Sequence, residues 1–273
     1  MTYLNEFSLK NKIIIVTGGN GLLGSEFCKS IAKYHGTPVI LSRNMSKSNK
    51  LVKEIYDNFQ IKAFAIKCNI TKEIEVIKAY KILKKKYQNQ CIFGLINNAA
   101  HNPKPSRSKN KKIKVNSLEN FNVKLFNQEL DIGLKGSFIC SKIFGNHFAK
   151  QKKGSIINVS SDLGIIAPNQ NLYSHLNYFK PVSYSIIKHG IIGLTKYLAS
   201  YWGGHGVRCN TIAPGGVLNN HDKKFISKIE KEIPLKRMGK VDDFNGIIIY
   251  LMSDLSRYTT GALISIDGGR TII

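Results

Sequence analysis

Acidic residues are scarce in this chain, with 17 Asp and Glu against 41 Lys and Arg, a formal charge of +24. That balance excludes an acidic, solvating polypeptide and admits nucleic acid, an anionic membrane surface or an acidic substrate as partners. The excess is mostly lysine spread along helical stretches, without a recognised nucleic-acid-binding motif, so it reads as solvated surface and no nucleic-acid partner is expected. Its densest stretch runs from Lys104 to Lys114, with Lys104, Arg107, Lys109, Lys111, Lys112 and Lys114. Cysteine is sparse too. Cys28, Cys68, Cys91, Cys140 and Cys209 are scattered, with no CxxC pair and no histidine at metal-ligand spacing, which argues against a disulfide framework and a zinc site. No apolar run approaches membrane-spanning length, and Met1 to Lys10 lacks the basic-then-apolar pattern of a signal peptide. A cytoplasmic protein with buried, reduced thiols and no membrane partner is expected. No Pro/Gly/Ser-rich linker or internal repeat divides the 273 residues, so residues 1–273 are expected to form one domain.

What is present is alternation. Short β-branched runs at Lys12 to Thr17, Pro38 to Ser42, Ala63 to Lys67, Ile92 to Asn97, Ser155 to Ser160, Val207 to Ile212 and Ala262 to Ile266 read as strands. Amphipathic stretches between them read as helices: Leu22 to Tyr34, Met45 to Asn58, Lys72 to Tyr87, Gln128 to Lys150, Val182 to Trp202 and Val241 to Ser253. Strand alternating with helix predicts an α/β fold, a single Rossmann-type doubly wound parallel sheet with helices on both faces. Functional residues should then fall just after strands.

The first such place holds Thr17-Gly18-Gly19-Asn20-Gly21-Leu22-Leu23-Gly24, opening directly into a helix. Glycines allow close backbone approach, and the free N–H groups of a helix start bind a pyrophosphate, so this turn is expected to cradle a dinucleotide. After the second strand, where an acidic residue would accept the ribose hydroxyls of NAD, stands Ser42-Arg43-Asn44. A carboxylate would repel a 2′-phosphate whereas Arg43 would hold one, which favours NADP over NAD. Asn69, with Ile70 beside it, is placed to hydrogen-bond the adenine. Asn98 and Ala99, in Asn97-Asn98-Ala99-Ala100, close the fourth strand beside the cofactor.

Ile156-Ile157-Asn158-Val159-Ser160-Ser161 predicts a fifth strand ending in two hydroxyls. Beyond it, Tyr184 and Lys188 in Tyr-Ser-Ile-Ile-Lys share a helix face, and a cation beside a phenol stabilises the phenolate. Together with Ala213-Pro214-Gly215-Gly216 and Asp267-Gly268-Gly269, these motifs in this order resemble the short-chain dehydrogenase/reductases over nearly the whole chain. The resemblance implies Tyr184 as general acid/base, Lys188 lowering its pKa and binding the nicotinamide ribose, and Ser161, three residues before Gly164, hydrogen-bonding the reacting oxygen, with Ser160 as the alternative. It also implies Pro214, Gly215 and Val217 around the nicotinamide, no metal, and a homodimer or homotetramer. The outer faces of Gln128 to Lys150 and Val182 to Trp202 are apolar enough to meet another subunit.

Three features depart from the family pattern. The glycine spacing is that of its extended members, and Gly133 stands where many relatives carry a proton-relay asparagine. Asp131, nearby in sequence, is expected to point elsewhere. Tyr184 also follows Ser161 at a longer interval than most relatives leave, which predicts a loop over the site from Ile165 to Lys180. That loop offers Asn169, Gln170, Asn171, Tyr173, His175, Asn177 and Tyr178 to a small-molecule substrate, a surface suited to a sugar or polyol. The insertion from His101 to Ser117 adds cations that would meet a phosphate. The pattern is similar to short-chain dehydrogenases of bacterial surface-glycan and flagellin-glycan sugar pathways. The expected reaction is carbonyl–alcohol interconversion on a sugar, sugar phosphate or nucleotide sugar. The alternatives are a 3-oxoacyl-[acyl-carrier-protein] reductase and a non-catalytic NAD(P)-binding regulator.

Overall fold

Every residue of the strand Lys12–Thr17 (β1) is buried, as expected of a central strand covered on both faces. Ile13 and Ile15 join a core layer with Phe144, Phe148 and Trp202, whereas Ile14 and Val16 join a second layer with Phe27, Phe244 and Ile248. Successive side chains thus feed opposite sides of the sheet. The computed structural model describes residues 6–88, 90–101 and 115–273. Within them, Thr37–Ser42 (β2), Phe64–Lys67 (β3), Cys91–Asn97 (β4), Gly154–Val159 (β5), Val207–Pro214 (β6) and Leu263–Ile266 (β7) complete the sheet. The order is β3-β2-β1-β4-β5-β6-β7, and every neighbouring pair is parallel. Strand order reverses between β1 and β4, and the crevice outside the carboxyl ends at that point is where such sheets bind ligands.

The helices Leu22–Lys33 (α1), Met45–Phe59 (α2) and Glu73–Lys86 (α3) follow the first three strands. An unbroken helical run over 123–150 (α4) contains two wide π turns, Asp131–Lys135 and Ser141–Gly145. Then come Val182–Trp202 (α5), Lys223–Lys231 (α6) and Asn245–Met252 (α7). The run α4 starts earlier than its apolar periodicity indicates, because the Asn122 side chain accepts from the Leu125 N–H and caps the helix there. The Asp222 side chain likewise caps α6 by accepting from the backbone N–H groups of Lys224 and Phe225. Strand β5 ends at Val159, so Ser160 and Ser161 begin the loop after it.

The segment Ile165 to Lys180 differs most from expectation. It folds around the short 3-10 helix Gln170–Leu176 and builds a satellite core in which Leu172, Tyr173, Leu176 and Tyr178 pack on Phe225, Ile229 and Met238. Its polar groups mostly hold it in place: Asn169 Nδ2 donates to Glu232 Oε1 at 2.5 Å, His175 Nε2 pairs with Asp222 Oδ1 at 2.7 Å, and Gln170 bonds the Lys180 backbone. Of the seven polar and aromatic residues expected to face substrate, Tyr173 lines the cleft described below and the other six do not. Cys28, Cys68, Cys140 and Cys209 are buried and all five thiols are free, with burial pushing Cys68 up to about 11.

Candidate active site

One cleft of about 960 Å³ runs along the carboxyl ends of the strands. Its first wall is the glycine turn. Gly21 caps α1 without a side-chain hydrogen bond, and the first turn carries no acidic residue, which leaves the helix N–H groups to an anion. Gly18, Asn20, Gly21, Leu22 and Leu23 line the cleft, whereas Thr17 and Gly24 shape it from behind. Thr17 Oγ1 accepts from the backbone N–H groups of Asn98 and Ala99 at 3.0 Å each, tying the turn to the end of β4. A side chain at Gly24 would begin 2.3 Å from the Gly18 carbonyl oxygen and 2.8 Å from Asn98 Nδ2. Gly24→Ala is therefore expected to cost about 1–3 kcal/mol through overpacking and to weaken dinucleotide binding, as read by thermal melting and nucleotide titration.

Ser42, Arg43, Asn69 and Ile70 line the next stretch, with Asn98 and Ala99 opposite the turn. Asn20 Nδ2 donates to the Asn44 carbonyl and to Ser48 Oγ at 3.0 Å each, fixing the turn against the start of α2. Asn69 spends its side-chain oxygen on Thr71, accepting from the backbone N–H at 3.2 Å and the hydroxyl at 3.0 Å. Lys47, on the first turn of α2, adds a second exposed cation beside the exposed Arg43. The sequence reading missed Lys47 because its spacing is that of any solvated helix face.

At the far end the two serines diverge. Ser160 Oγ donates to the Lys188 carbonyl at 2.7 Å. Ser161 Oγ donates to Asp162 Oδ1 at 2.6 Å and accepts from the Leu163 N–H at 3.2 Å, and it lines the cleft together with Tyr184. Lys188 is buried and donates from Nζ to the Val159 carbonyl at 2.9 Å, which sets its ammonium 5.6 Å from the centroid of the Tyr184 ring. Pro214, Gly215 and Val217 line the same region from the end of β6.

The electrostatics correct one expectation. Burial pushes the Tyr184 phenol up to about 12, against the lowering effect of the Ser161 hydrogen bond, and Asp162 raises it further. Lys188 does not bring it down in the protein alone, because burial, with Lys180 adding like-charge repulsion, lowers the lysine itself to about 8. Asp162 is 3 % exposed and pairs with the equally enclosed Arg270, Nη1 to Oδ2 at 2.6 Å, while Arg270 Nη2 reaches Glu232 Oε2 at 2.9 Å. The C-terminal tail, the serine loop and the end of α6 thus meet in one ionic cluster around the buried Arg270 that no local sequence signal announces.

A family model described as enoyl-(acyl carrier protein) reductase matches residues 23–271. The chain belongs to the short-chain dehydrogenase/reductase family. It is 30 % identical to the post-translational flagellin modification protein A of Campylobacter coli over 261 residues, 96 % of this chain and 98 % of that protein. It is likewise 30 % identical to the NADP-dependent mannitol dehydrogenase of Alternaria alternata, over 96 % of this chain and 93 % of that one. The solved short chain dehydrogenase from Leptospira borgpetersenii, with bound NAD+, superposes with a TM-score of 0.82 at 28 % identity, covering 99 % of this chain and 96 % of that one.

Against this short-chain dehydrogenase/reductase frame, the missing asparagine has a steric cause. A side chain on Gly133 would begin 2.6 Å from Ile187 Cγ2 of α5, so the space an asparagine needs is filled by isoleucine. The Gly133 carbonyl, inside the first π turn, accepts from Ser137 Oγ at 2.8 Å. Asp131 does line the cleft, contrary to expectation, and it also pairs with Lys135 at 2.6 Å. The basic stretch Lys104 to Lys114 lies outside the described residues.

Proposed function

We propose that this oxidoreductase interconverts a carbonyl and an alcohol on a sugar, sugar phosphate or nucleotide sugar, using NADP or NAD. The observation that carries the reading is the meeting of Ser161, Tyr184 and Lys188 in the same cleft as the open α1 N-terminus. The cleft fits a dinucleotide: Gly18 sits at φ +61°, the helix start offers unpaired N–H groups, and Arg43 and Lys47 stand at the adenosine end. The turn from Gly18 to Leu23 would hold the pyrophosphate, with Thr17 and Gly24 shaping it. Asn69 and Ile70 would flank the adenine, Asn98 and Ala99 the middle, and Lys188, Pro214, Gly215 and Val217 the nicotinamide end. When bound, the nicotinamide supplies or accepts the hydride.

The protein's own part is proton transfer and orientation. Tyr184, protonated at neutral pH with its pKa pushed up to about 12, donates its hydroxyl proton to the oxygen of a reduced carbonyl. In the opposite direction its phenolate accepts the alcohol proton. Lys188, held by the Val159 carbonyl, fixes a positive charge behind the phenol, and Ser161 completes the hydrogen-bonding set around the reacting oxygen. The sugar reading is supported by the mannitol dehydrogenase relative. A 3-oxoacyl-[acyl-carrier-protein] substrate is the second reading, favoured by a 29 % identical 3-oxoacyl-[acyl-carrier-protein] reductase of Buchnera aphidicola and by the +24 charge. Steady-state assays with an acetoacetyl thioester against ketoses and sugar phosphates separate the two.

NADP is preferred over NAD on the strength of Arg43 and Lys47. Arg43→Ala is expected to weaken NADPH about tenfold more than NADH, measured by fluorescence titration; equal weakening of both contradicts the preference. Phe138 on α4 and Ile186, Tyr197 and Tyr201 on α5 are exposed, with Tyr197 and Tyr201 stacked at 5.7 Å, and these faces would join copies into a homodimer or homotetramer. Among the described residues no helix is long and apolar enough to cross a membrane, which is compatible with the cytoplasmic location we propose.

A further inference from the structure

The first turn of α5, which carries Tyr184, has no cap of its own. Pro181 stands at its N-cap without a side-chain hydrogen bond, and the turn holds no acidic residue. A helix start without such partners is held by whatever packs on it. Here the partner comes from another helix: the buried Ser183 donates its hydroxyl to Glu129 Oε2 of α4. Glu129 is 4 % exposed, and its other oxygen, Oε1, pairs at 3.0 Å with Nδ1 of His101, just beyond β4. One buried carboxylate thus joins the exit of β4, the helix α4 and the residue next to Tyr184, and it sits near the positive end of the α5 dipole. The spacing along the two helices explains why it is needed. Glu129 precedes Gly133 by one turn of α4, and Ser183 precedes Ile187 by one turn of α5, so both pairs lie along the same seam. At Gly133 the seam is closed by the Ile187 side chain; one turn earlier it is closed by the hydrogen bond from Ser183 to Glu129. Neither Glu129 nor Ser183 is among the described residues that line the cleft, so their influence on the chemistry passes through Tyr184.

We infer that Glu129 is a positioning residue for the acid/base tyrosine: its hydrogen bond with Ser183 holds the first turn of α5 so that the Tyr184 hydroxyl is aimed at the reacting oxygen. This rests on the proton-transfer role proposed for Tyr184 above and adds the group that aims it. Displacing a reacting group by about 1 Å costs on the order of 10²-fold in rate, so a single buried hydrogen bond at this place has leverage over turnover.

The test compares wild type with Glu129→Gln, Glu129→Leu and Ser183→Ala. Glutamine still accepts from the Ser183 hydroxyl and donates to His101 Nδ1, whereas leucine does neither. Ser183→Ala cuts the same bond from the other side should the leucine variant fail to fold, and thermal melting establishes which variants are folded. Amide hydrogen exchange reads the hold directly at Ile186, Ile187 and Lys188, whose N–H groups close the first turn of a helix beginning at Val182. Exchange there is expected to be about tenfold faster in Glu129→Leu and Ser183→Ala, unchanged in Glu129→Gln, and unchanged at β1 in all three. Turnover is measured with NADPH and D-fructose, D-fructose 6-phosphate or an acetoacetyl thioester, whichever reacts fastest. In the leucine and alanine variants kcat should fall about tenfold or more, while Glu129→Gln stays near wild type and NADPH affinity is unchanged throughout. In a Tyr184→Phe background Glu129→Leu should cause no further loss, because the group it aims is gone; a merely structural role would lower the residual turnover again. Wild-type exchange or wild-type kcat in Glu129→Leu and Ser183→Ala overturns the inference, as does a further loss in the Tyr184→Phe background. Wild-type turnover in Tyr184→Phe alone removes the proton-transfer reading and the inference with it. Absence of turnover with all three carbonyl compounds removes both substrate readings instead, and exchange at Ile186 to Lys188 then decides whether Glu129 holds the turn.

Discussion

Replacing Tyr184 by phenylalanine is expected to lower kcat by about 10²–10⁴-fold and to leave nucleotide affinity nearly unchanged. The ring that packs beside the Lys180 and Lys188 ammonium groups stays in place; only the phenolic hydroxyl is lost. Steady-state turnover and NADPH fluorescence titration on the same preparation read the two quantities separately. An accompanying pH profile has a defined sign. Tyr184, pushed up to about 12, remains protonated through neutral pH, so reductive turnover should hold steady there. It should fall above about pH 8, because Lys188 is charged below its lowered pKa and neutral above it. Turnover in Tyr184→Phe equal to wild type would remove the phenol from the chemistry.

The second large effect is expected at Arg270, the residue that follows the Asp267-Gly268-Gly269 motif. Arg270→Met would leave Asp162, 3 % exposed, as a buried carboxylate without its cation. Breaking such a pair by removing one partner costs about 3–5 kcal/mol, readable as a lowered denaturation midpoint. Activity should fall as well, because Asp162 without Arg270 is no longer held where it now accepts from the Ser161 hydroxyl at 2.6 Å. The double variant Asp162→Asn with Arg270→Met should recover most of the stability, since neutralising both partners removes the orphaned charge. Recovery of stability without recovery of turnover would mark the pair as positioning Ser161 rather than merely holding the tail. Unchanged stability in Arg270→Met would mean the pair is solvated in solution.

These two positions also mark how far the sequence could be read. Strands β1 to β7 and the tyrosine helix were legible because burial on both faces writes a β-branched run and helix packing writes a 3.6-residue period, both local signals. The glycine turn and the Tyr184–Lys188 pair were legible for the same reason, each being a spacing within one turn of backbone. The Asp162–Arg270 bond joins residues 108 positions apart, and no local pattern encodes it. Lys180 was hidden differently: in a chain with 41 basic residues, one more lysine at a loop end carries no signal until folding brings it over the phenol. Composition misled about the loop over the site, where Asn169, Gln170 and His175 proved to be fasteners to neighbouring segments. Gly133 shows the reverse case, a departure visible in sequence whose cause, Ile187 in the vacated space, only packing reveals.

In the proposed function Tyr184 would exchange its proton beside the place where a bound nicotinamide would supply or accept hydride. The most direct test is a crystal structure of the protein with NADP+, in which the position of the nicotinamide ring relative to the Tyr184 hydroxyl is measured. The predicted result is a pyrophosphate on the Gly18 to Leu23 turn and a nicotinamide beside Tyr184, Lys188 and Pro214, with room for a substrate oxygen about 3 Å from the hydroxyl. A nucleotide bound elsewhere, or a nicotinamide ring turned out of reach of Tyr184, would contradict it.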